Sequence, residues 1–556
     1  MSADQESFTV SGRIVDVVAG EIFPGRVQVA HGRIDGVRRD NGDGSTGPGG
    51  PLKDRFIMPG FVDAHVHVES SMLTPGQFAR LAVRQGTVAT VSDPHEIANV
   101  LGVPGVEFML RDGAAAPFTF AFGAPSCVPA TPFESSGAHL GPEEVEALLA
   151  RDDILYLSEM MNFPGVIHGD AEVAAKIAAA KRHGKPIDGH APGVRGEDLA
   201  AYVGAGISTD HESLSYDEAE EKIRLGMKVL IREGSAAREF DLLYPLMQAY
   251  PEHCMLCSDD KHPQDLVKGH INALVARAVA AGIDPLTVLR CACLNPVRHY
   301  GLDVGLLQPG DPADFIIVTD LEDFDVIGTY VKGRLVAADG TPLFTAGCTE
   351  RPNHFVAREL RAEAFAVAAR PGRINVIEAL DGRLVTHRLV VAPTVRDGQV
   401  VADPDRDLLK IVVLNRYQEA PPAVAFIRNV GLRRGAIASS VAHDSHNIVA
   451  VGASDDDLAA AVNEVIRNRG GLAVAAPGAV RSLSLPVAGL MSPHDGLDVA
   501  ETYDALDRAA KDLGSRLSAP FMTLSFMALL VIPSLKMSDV GLFDGDTFKG
   551  VNLFVD

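Results

Sequence analysis

The sequence predicts an α/β fold, a (β/α)8 TIM-like barrel carrying a small β-sandwich domain and a C-terminal α/β domain. Three observations predict it. Between residues 58 and 304, eight β-type runs alternate with helix-type runs, and each β-type run ends at or near a polar residue. The segments before and after this stretch have a different, β-only rhythm.

The eight runs are FVDAHV, TVATVSD, FTFAFG, DILYLSE, KPIDGH, AGISTDH, MKVLIRE and CMLCSD. Their polar ends are His67, Asp93, Ser126, Glu159, His190, His211, Glu233 and Asp259, spaced by 21 to 33 residues. That spacing holds a strand, a helix and two loops. An open doubly wound sheet shares the alternation, but eight consecutive units favour closure into a barrel, whose chemistry lies at the C-terminal strand ends.

Residues 8 to 57 alternate FTV, RIVDVV, RVQVA and RIDGV with Gly- and Asp-rich turns, and 40-DNGDGSTGPGGP-51 reads as a loop. A similar rhythm returns in the run from 305 to 336. The expected layout is therefore a composite β-sandwich from residues 1–57 and 305–348 around a barrel at 58–304. From residue 349 to 556, runs such as 410-KIVVLNRY-417 and 455-DDDLAAAVNEVIRNRGG-471 predict a separate α/β domain.

Composition narrows the function. The 556-residue chain is 47% hydrophobic and 22% charged, with a formal net charge of −23. That charge opposes nucleic acid and anionic membranes, and no basic patch offsets it, so a small-molecule partner is expected. The run 526-FMALLVIPSL-535 is too short to span a bilayer. MSADQESF has no secretory character, and six cysteines are too few for a disulfide framework. A cytoplasmic protein with reduced thiols is expected, in which the Cys254–Cys257 pair packs a strand.

The chemistry begins at 58-MPGFVDAHVHVESSM-72. Residues i and i+2 of a strand face the same side, so His65 and His67 converge on one point. Later strands add Glu159, His190, His211 and Asp259. Four imidazoles and two carboxylates suit Zn2+, Mn2+ or Fe2+, and their number permits two ions. Asp93 reads either as a proton-relay carboxylate or as a helix cap. For His443 and His446 in 443-HDSH-446 the readings are a hydrogen-bonded structural role, an active-site cover, or a second metal centre.

The pattern resembles the amidohydrolase superfamily and, more narrowly, the adenine deaminase family. The resemblance rests on PGFVDAHVHVESSML, SDPHEIANVLGV, LSEMMNFPGVI, IDGHAPGVRGEDL, STDHES, IREGSAA, CSDDKHPQDLVKGHI, GAIASSVAHDSHNIV and PFMTLSFMALLVIPSLKMSDVGLF, nearly the whole chain after residue 55. It implies two divalent ions, Mn2+ or Fe2+ before Zn2+. His65, His67 and Asp259 would hold one, His190 and His211 the other, and Glu159 would bridge or lie beside both. It implies hydrolysis of free adenine to hypoxanthine and ammonia in purine salvage, with Asp259 shuttling the proton. Asp260 becomes a candidate for the purine edge, and Glu212, Glu233 and Ser235 for the base pocket. A homo-oligomer such as a dimer is expected.

One departure stands out. Adenosine deaminases follow the strand-5 His with a Glu that protonates the ring nitrogen, whereas Ala191, Pro192 and Gly193 follow His190. Glu159, Glu212 and Glu233 remain as candidate donors, and the role of Glu69 is open. The rival readings are a cyclic amidohydrolase of the dihydroorotase or hydantoinase type and a non-catalytic metal- or purine-binding protein. The rival hydrolases often carry a carboxylated Lys where this chain has Glu159.

Overall fold

A computed structural model describes residues 7–40 and 54–555; from residue 41 on, the Gly-rich loop expected at 40–51 lies outside the described residues. The first strands, β1 (Phe8–Asp16), β2 (Glu21–Ala30) and β3 (Arg33–Arg39), form an antiparallel meander. β4 (Phe56–Pro59) then returns parallel to β1.

Eight parallel strands follow in chain order: β5 (Phe61–Val66), β6 (Thr87–Ser92), β7 (Thr119–Ala124), β8 (Tyr156–Met160), β9 (Ile187–Gly189), β10 (Thr209–Asp210), β11 (Lys228–Arg232) and β12 (Cys254–Cys257). All eight expected runs contain a strand, though β9 and β10 are shorter than their apolar runs. Ladder pairing joins β5 to β9 in one curled sheet and β10 to β12 in another. Ser208 N–H donates to Ile187 O at 2.9 Å between the two runs. On the other side, Val66 pairs in parallel with Asp259, and Asp259 N–H donates to His65 O at 3.0 Å. These links bring the C-terminal ends of the first and last strands together.

The chain then adds β13 (Phe315–Val318), β14 (Val326–Val331), β15 (Arg334–Ala338) and β16 (Thr341–Pro342). They join the N-terminal strands in one eight-stranded sheet ordered β16-β15-β14-β13-β4-β1-β2-β3. In its hydrogen bonding this is a single sheet, not two stacked ones, because β4 pairs with both β1 and β13. Its two apolar faces follow the period of two. Ile14, Ile57, Phe315 and Ile317 pack with Val27 and Val29. Val15, Phe56, Met58, Ile316 and Val318 pack with Ile271 and Leu289 from the helices beside the parallel strands.

After residue 349 a mostly antiparallel sheet forms around Leu409–Leu414, Ala436–Ser439, Ile448–Gly452 and Gly471–Ala476. Helix Asp455–Arg467 covers one face through Leu458, Ala461, Val462 and Val465. Ser454 caps that helix by accepting Asp457 N–H. The opposite face shares an apolar core with helix Gly496–Asp512 and with the β5 region through Leu73 and Phe78. Ser492 N–H donates to Met72 O at 2.8 Å, so the C-terminal unit sits directly on the segment after β5. Among the described residues, no helix is long and apolar enough to cross a membrane.

Candidate metal centre

Alternation along β5 sends Ala64 and Val66 into the apolar core and leaves His65 and His67 for the other face. Both imidazoles are buried, and their Nε2 atoms lie 3.2 Å apart. Asp259 Oδ1 is 3.4 Å from His65 Nε2 and 3.2 Å from His67 Nε2. His67 Nδ1 lies 3.2 Å from the Asp93 carbonyl, which can only accept, so Nδ1 carries a proton and Nε2 is the nitrogen that would face an ion. Ligands held ~2.1 Å from an ion in tetrahedral geometry sit roughly 3.4 Å apart. The donor set therefore fits a divalent cation.

Glu159, at the end of β8, extends the cluster. Its Oε1 lies 3.3 Å from His67 Nε2, and its Oε2 lies 2.8 Å from His190 Nδ1 and 3.1 Å from His211 Nε2. One carboxylate thus touches the imidazoles that follow β5, β9 and β10. His65 and His211 stack at 4.1 Å between ring centroids. All six residues expected to hold metal converge here, and the groups His65–His67–Asp259, His65–Glu159–His211 and His190–His211–Glu212 each bring three ligand atoms close together. Burial opposes ionisation of Glu159, but His190, His211 and His67 hold its carboxyl well below the ordinary range. Asp259 is likewise held low, against burial, by His65, His67 and Arg232. Asp259 adopts φ +50°, a left-handed conformation that costs ~1 kcal/mol or more.

The neighbours are arranged around this cluster. Asp93 Oδ1 accepts the His95 N–H at 3.0 Å, and its Oδ2 lies 3.1 Å from His95 Nδ1. The same His95 nitrogen is 3.4 Å from Glu159 Oε1. Asp93 thus holds the first residue of helix His95–Leu101 and reaches the cluster through His95. Burial pulls the His95 pKa down, yet Asp93 and Glu96 hold it well above the ordinary value. Asp260 accepts the Ser70 hydroxyl, and burial with Asp259 beside it raises its carboxyl. Glu69 accepts Ile97 N–H at 3.1 Å, tying the segment after β5 to that helix, and burial lifts its pKa to about 7.

Arg232, which the sequence reading passed over, is the buried cation of the site. Its Nη1 donates to Asp259 Oδ2 at 2.8 Å, Nη2 to Glu212 Oε2 at 2.8 Å, and Nε to Glu239 Oε2 at 2.6 Å. Burial works against its charge, but these carboxylates raise its pKa well above the ordinary arginine value. Glu212 is thereby neutralised in a two-pronged pair. Glu233, expected in the base pocket, is not brought there; its Oε1 accepts from Arg277 Nη1 at 2.6 Å. The cause is strand parity. Val229 and Ile231 pack outward with Ala219 and Leu243, so Glu233 shares their side while Arg232 faces the cluster. The same alternation was readable in 228-KVLIRE-233.

Ser235 Oγ donates to Asp265 Oδ2 at 2.7 Å and accepts His262 N–H at 2.9 Å. With His190, Glu212, Arg232, Phe163 and Tyr503 it lines a cavity of about 860 Å³ between the strand ends and the C-terminal domain.

A second buried cluster lies next to the first. Glu96, on helix His95–Leu101, binds His443 Nδ1 at 2.5 Å through Oε1 and His446 Nε2 through Oε2. Ala442 N–H donates to His446 Nδ1 at 3.2 Å, so His446 Nε2 must carry the proton and donate to Glu96. His446 offers no lone pair to an ion, and the cluster holds together as hydrogen bonds.

Comparison with known proteins follows the same division of the chain. Residues 56–336 match the amidohydrolase family, and residues 383–549 match the adenine deaminase C-terminal domain. An adenine deaminase of Salinibacter ruber is 56% identical over 99% of both chains. One of a Sulfurovum species is 54% identical over 97% of this chain and 98% of its own, and one of Methanosarcina mazei is 51% identical over 98% and 99%.

Proposed function

The chain belongs to the adenine deaminase family, and from that premise we propose how its residues carry out the reaction. The reaction is hydrolytic deamination of free adenine to hypoxanthine and ammonia. We propose that the eight parallel strands act as a closed (β/α)8 barrel, 58–304, flanked by a composite β domain of residues 1–57 and 305–348 and a C-terminal domain, 349–556. The observation that carries the reading is the single cluster formed by His65, His67, Glu159, His190, His211 and Asp259 at the strand ends.

In this reading His65, His67 and Asp259 would hold one divalent ion and His190 and His211 the other, with Glu159 in contact with both groups. Mn2+ or Fe2+ are the proposed ions. When bound, such ions lower the pKa of water and supply a nucleophile near neutral pH. Asp259, an ionised carboxylate beside that position, takes a proton from the attacking water and passes it to the departing amino group. Arg232 fixes the orientation of Asp259 by holding its second oxygen. Ser235 and Glu212 shape the adjoining cavity, and Asp260, beside Asp259 and held by the Ser70 hydroxyl, is assigned to the purine edge. We place this enzyme in the cytoplasm, as a homo-oligomer serving purine salvage; the free cysteines, five of the six buried, are consistent with a reducing compartment.

The test is an ammonia-release screen of purines and cyclic amides with metal-reconstituted protein. Adenine is expected to give stoichiometric hypoxanthine and ammonia; ring opening of a cyclic amide in its place would overturn the reading. Asp259→Asn preserves shape and should lower kcat by about 10⁴-fold, and near-normal turnover would remove the proton shuttle.

A further inference from the structure

Addition of water to C6 of adenine pushes an electron pair onto ring N1, and an acid must meet it there. This inference rests on the deaminase reading. Of the carboxylates considered as donors, Glu159 lies among imidazoles, Glu212 is clamped by Arg232, and Glu233 is turned to the far side of its strand, where one oxygen pairs with Arg277 and the other is buried without a partner. The Glu96 cluster offers what they lack. His446, donating through Nε2, occupies Glu96 Oε2 and leaves Oε1 for His443 Nδ1. A carboxylate on Nδ1 fixes an imidazole and leaves Nε2 free for proton transfer, the arrangement of catalytic histidines in hydrolases.

Among the described residues, His443 Nε2 makes no hydrogen bond. The ring is 2% exposed and stacks on Phe526 at 4.6 Å between centroids. Its position places it beside the metal cluster. Glu96 Oε1 is 3.6 Å from His95 Nε2, and the other nitrogen of that ring contacts Glu159. Asp260, next to Asp259, is among the charges acting on His443. Asp444, the next residue, has a buried Oδ2 without a partner, 4.0 Å from His95 Nε2. The free Nε2 of His443 and the unpartnered carboxylate oxygen of Asp444 thus lie on the same edge of the reaction centre.

We propose that His443, carried in by the C-terminal domain, is the acid that delivers a proton from Nε2 to adenine N1, with Glu96 as its positioning residue. As the water oxygen bonds to C6, the C6–N1 π pair moves to N1 and takes the Nε2 proton. Asp259 takes a proton from the attacking water and gives it to the amino group. The C6–N bond breaks, ammonia leaves with the bonding pair, and the hydroxyl proton is released as the C6 carbonyl forms. That release balances the proton His443 gave. Glu96 and Asp260 raise the pKa of His443 to about 9 against the effect of burial, so the imidazole carries its proton at neutral pH. The groups facing it are Glu96, His446, Asp444, Asp260 and His262.

The experiment compares competitive inhibition by purine and by 1-deazapurine, which replaces N1 with C–H. Wild-type protein should bind purine at least about 10-fold tighter, since a charged donor meets N1. His443→Ala should erase that preference and lower kcat about 10²- to 10⁴-fold, with 1-deazapurine affinity and metal content unchanged. Glu96→Gln should shrink the preference without touching 1-deazapurine binding. Equal loss of both ligands in His443→Ala, or a wild-type ratio near one, would overturn the proposal, and the wild-type ratio decides even if a variant fails to fold. Absence of ammonia release by wild-type protein would instead refute the deaminase reading.

Discussion

His67 and His446 lie in adjoining buried clusters, each beside a glutamate and each with three ligand atoms close together, yet we propose metal only for the first. The difference is one hydrogen bond on the far ring nitrogen. His67 Nδ1 donates to a carbonyl, which leaves Nε2, facing His65 and Asp259, as the nitrogen able to offer a lone pair to an ion. His446 Nδ1 accepts a backbone N–H, which puts the proton on Nε2 and aims a donor at Glu96. Spacing agrees. The first cluster keeps its ligand atoms mostly 3.1 to 3.4 Å apart, as an ion requires, whereas the second closes to direct hydrogen-bond contact. Residue types alone do not separate a metal site from a hydrogen-bonded clasp; the outer partner of each imidazole does.

The largest effect that tests this contrast is metal content. Metal-loaded protein should carry two ions per chain, measured by elemental analysis, and chelation should abolish activity until Mn2+ or Fe2+ is returned. His67→Ala should lose at least one ion and nearly all turnover, while His446→Ala keeps both ions. A third ion per chain that disappears with His446 would break the contrast.

Stability should show the reverse. Glu96 ties residues almost 350 positions apart in sequence, holding the C-terminal domain to the helix after β6. Glu96→Ala leaves two buried imidazoles without their acceptor, and truncating one partner of a buried charge pair costs about 3–5 kcal/mol. Denaturant unfolding of metal-free protein should show that loss. In the same metal-free state His67→Ala should change stability by roughly 1 kcal/mol or less, since it relieves a crowd of ligand atoms. Equal losses would mean that the clasp carries no special share of domain attachment.

What the sequence disclosed follows from these physical ranges. Strand periodicity acts over two residues, so His65 and His67 were legible as a pair, and the strand-end rule brought in Glu159, His190, His211 and Asp259. The Arg232–Glu233 exchange came from following the polar end of a run without following its alternation. The single continuous β sheet of the two outer segments depends on β4 pairing with strands 250 residues away, which no local pattern encodes. The partner of HDSH was hidden for the same reason. Glu96 lies in SDPHEIAN, already conspicuous, but nothing local says that its carboxylate reaches across a domain boundary.

The smallest effect is a pH dependence that separates the two imidazoles of the clasp. Glu96 and Asp260 raise His443 to about 9 despite burial, from an ordinary value near 6.5. The folded state therefore binds that proton more tightly than the unfolded chain. Its contribution is complete below about pH 6.5 and is lost as pH rises through 9. Burial instead depresses His446 to about 4, so it stays neutral across this window and contributes no slope. Metal-free wild-type protein should lose unfolding stability between pH 6.5 and 9 relative to His443→Gln, whereas His446→Asn should keep most of that slope. If the slope survived in His443→Gln, the proton would belong to another group, and the clasp would be a neutral hydrogen bond without the charge that its proposed acid requires.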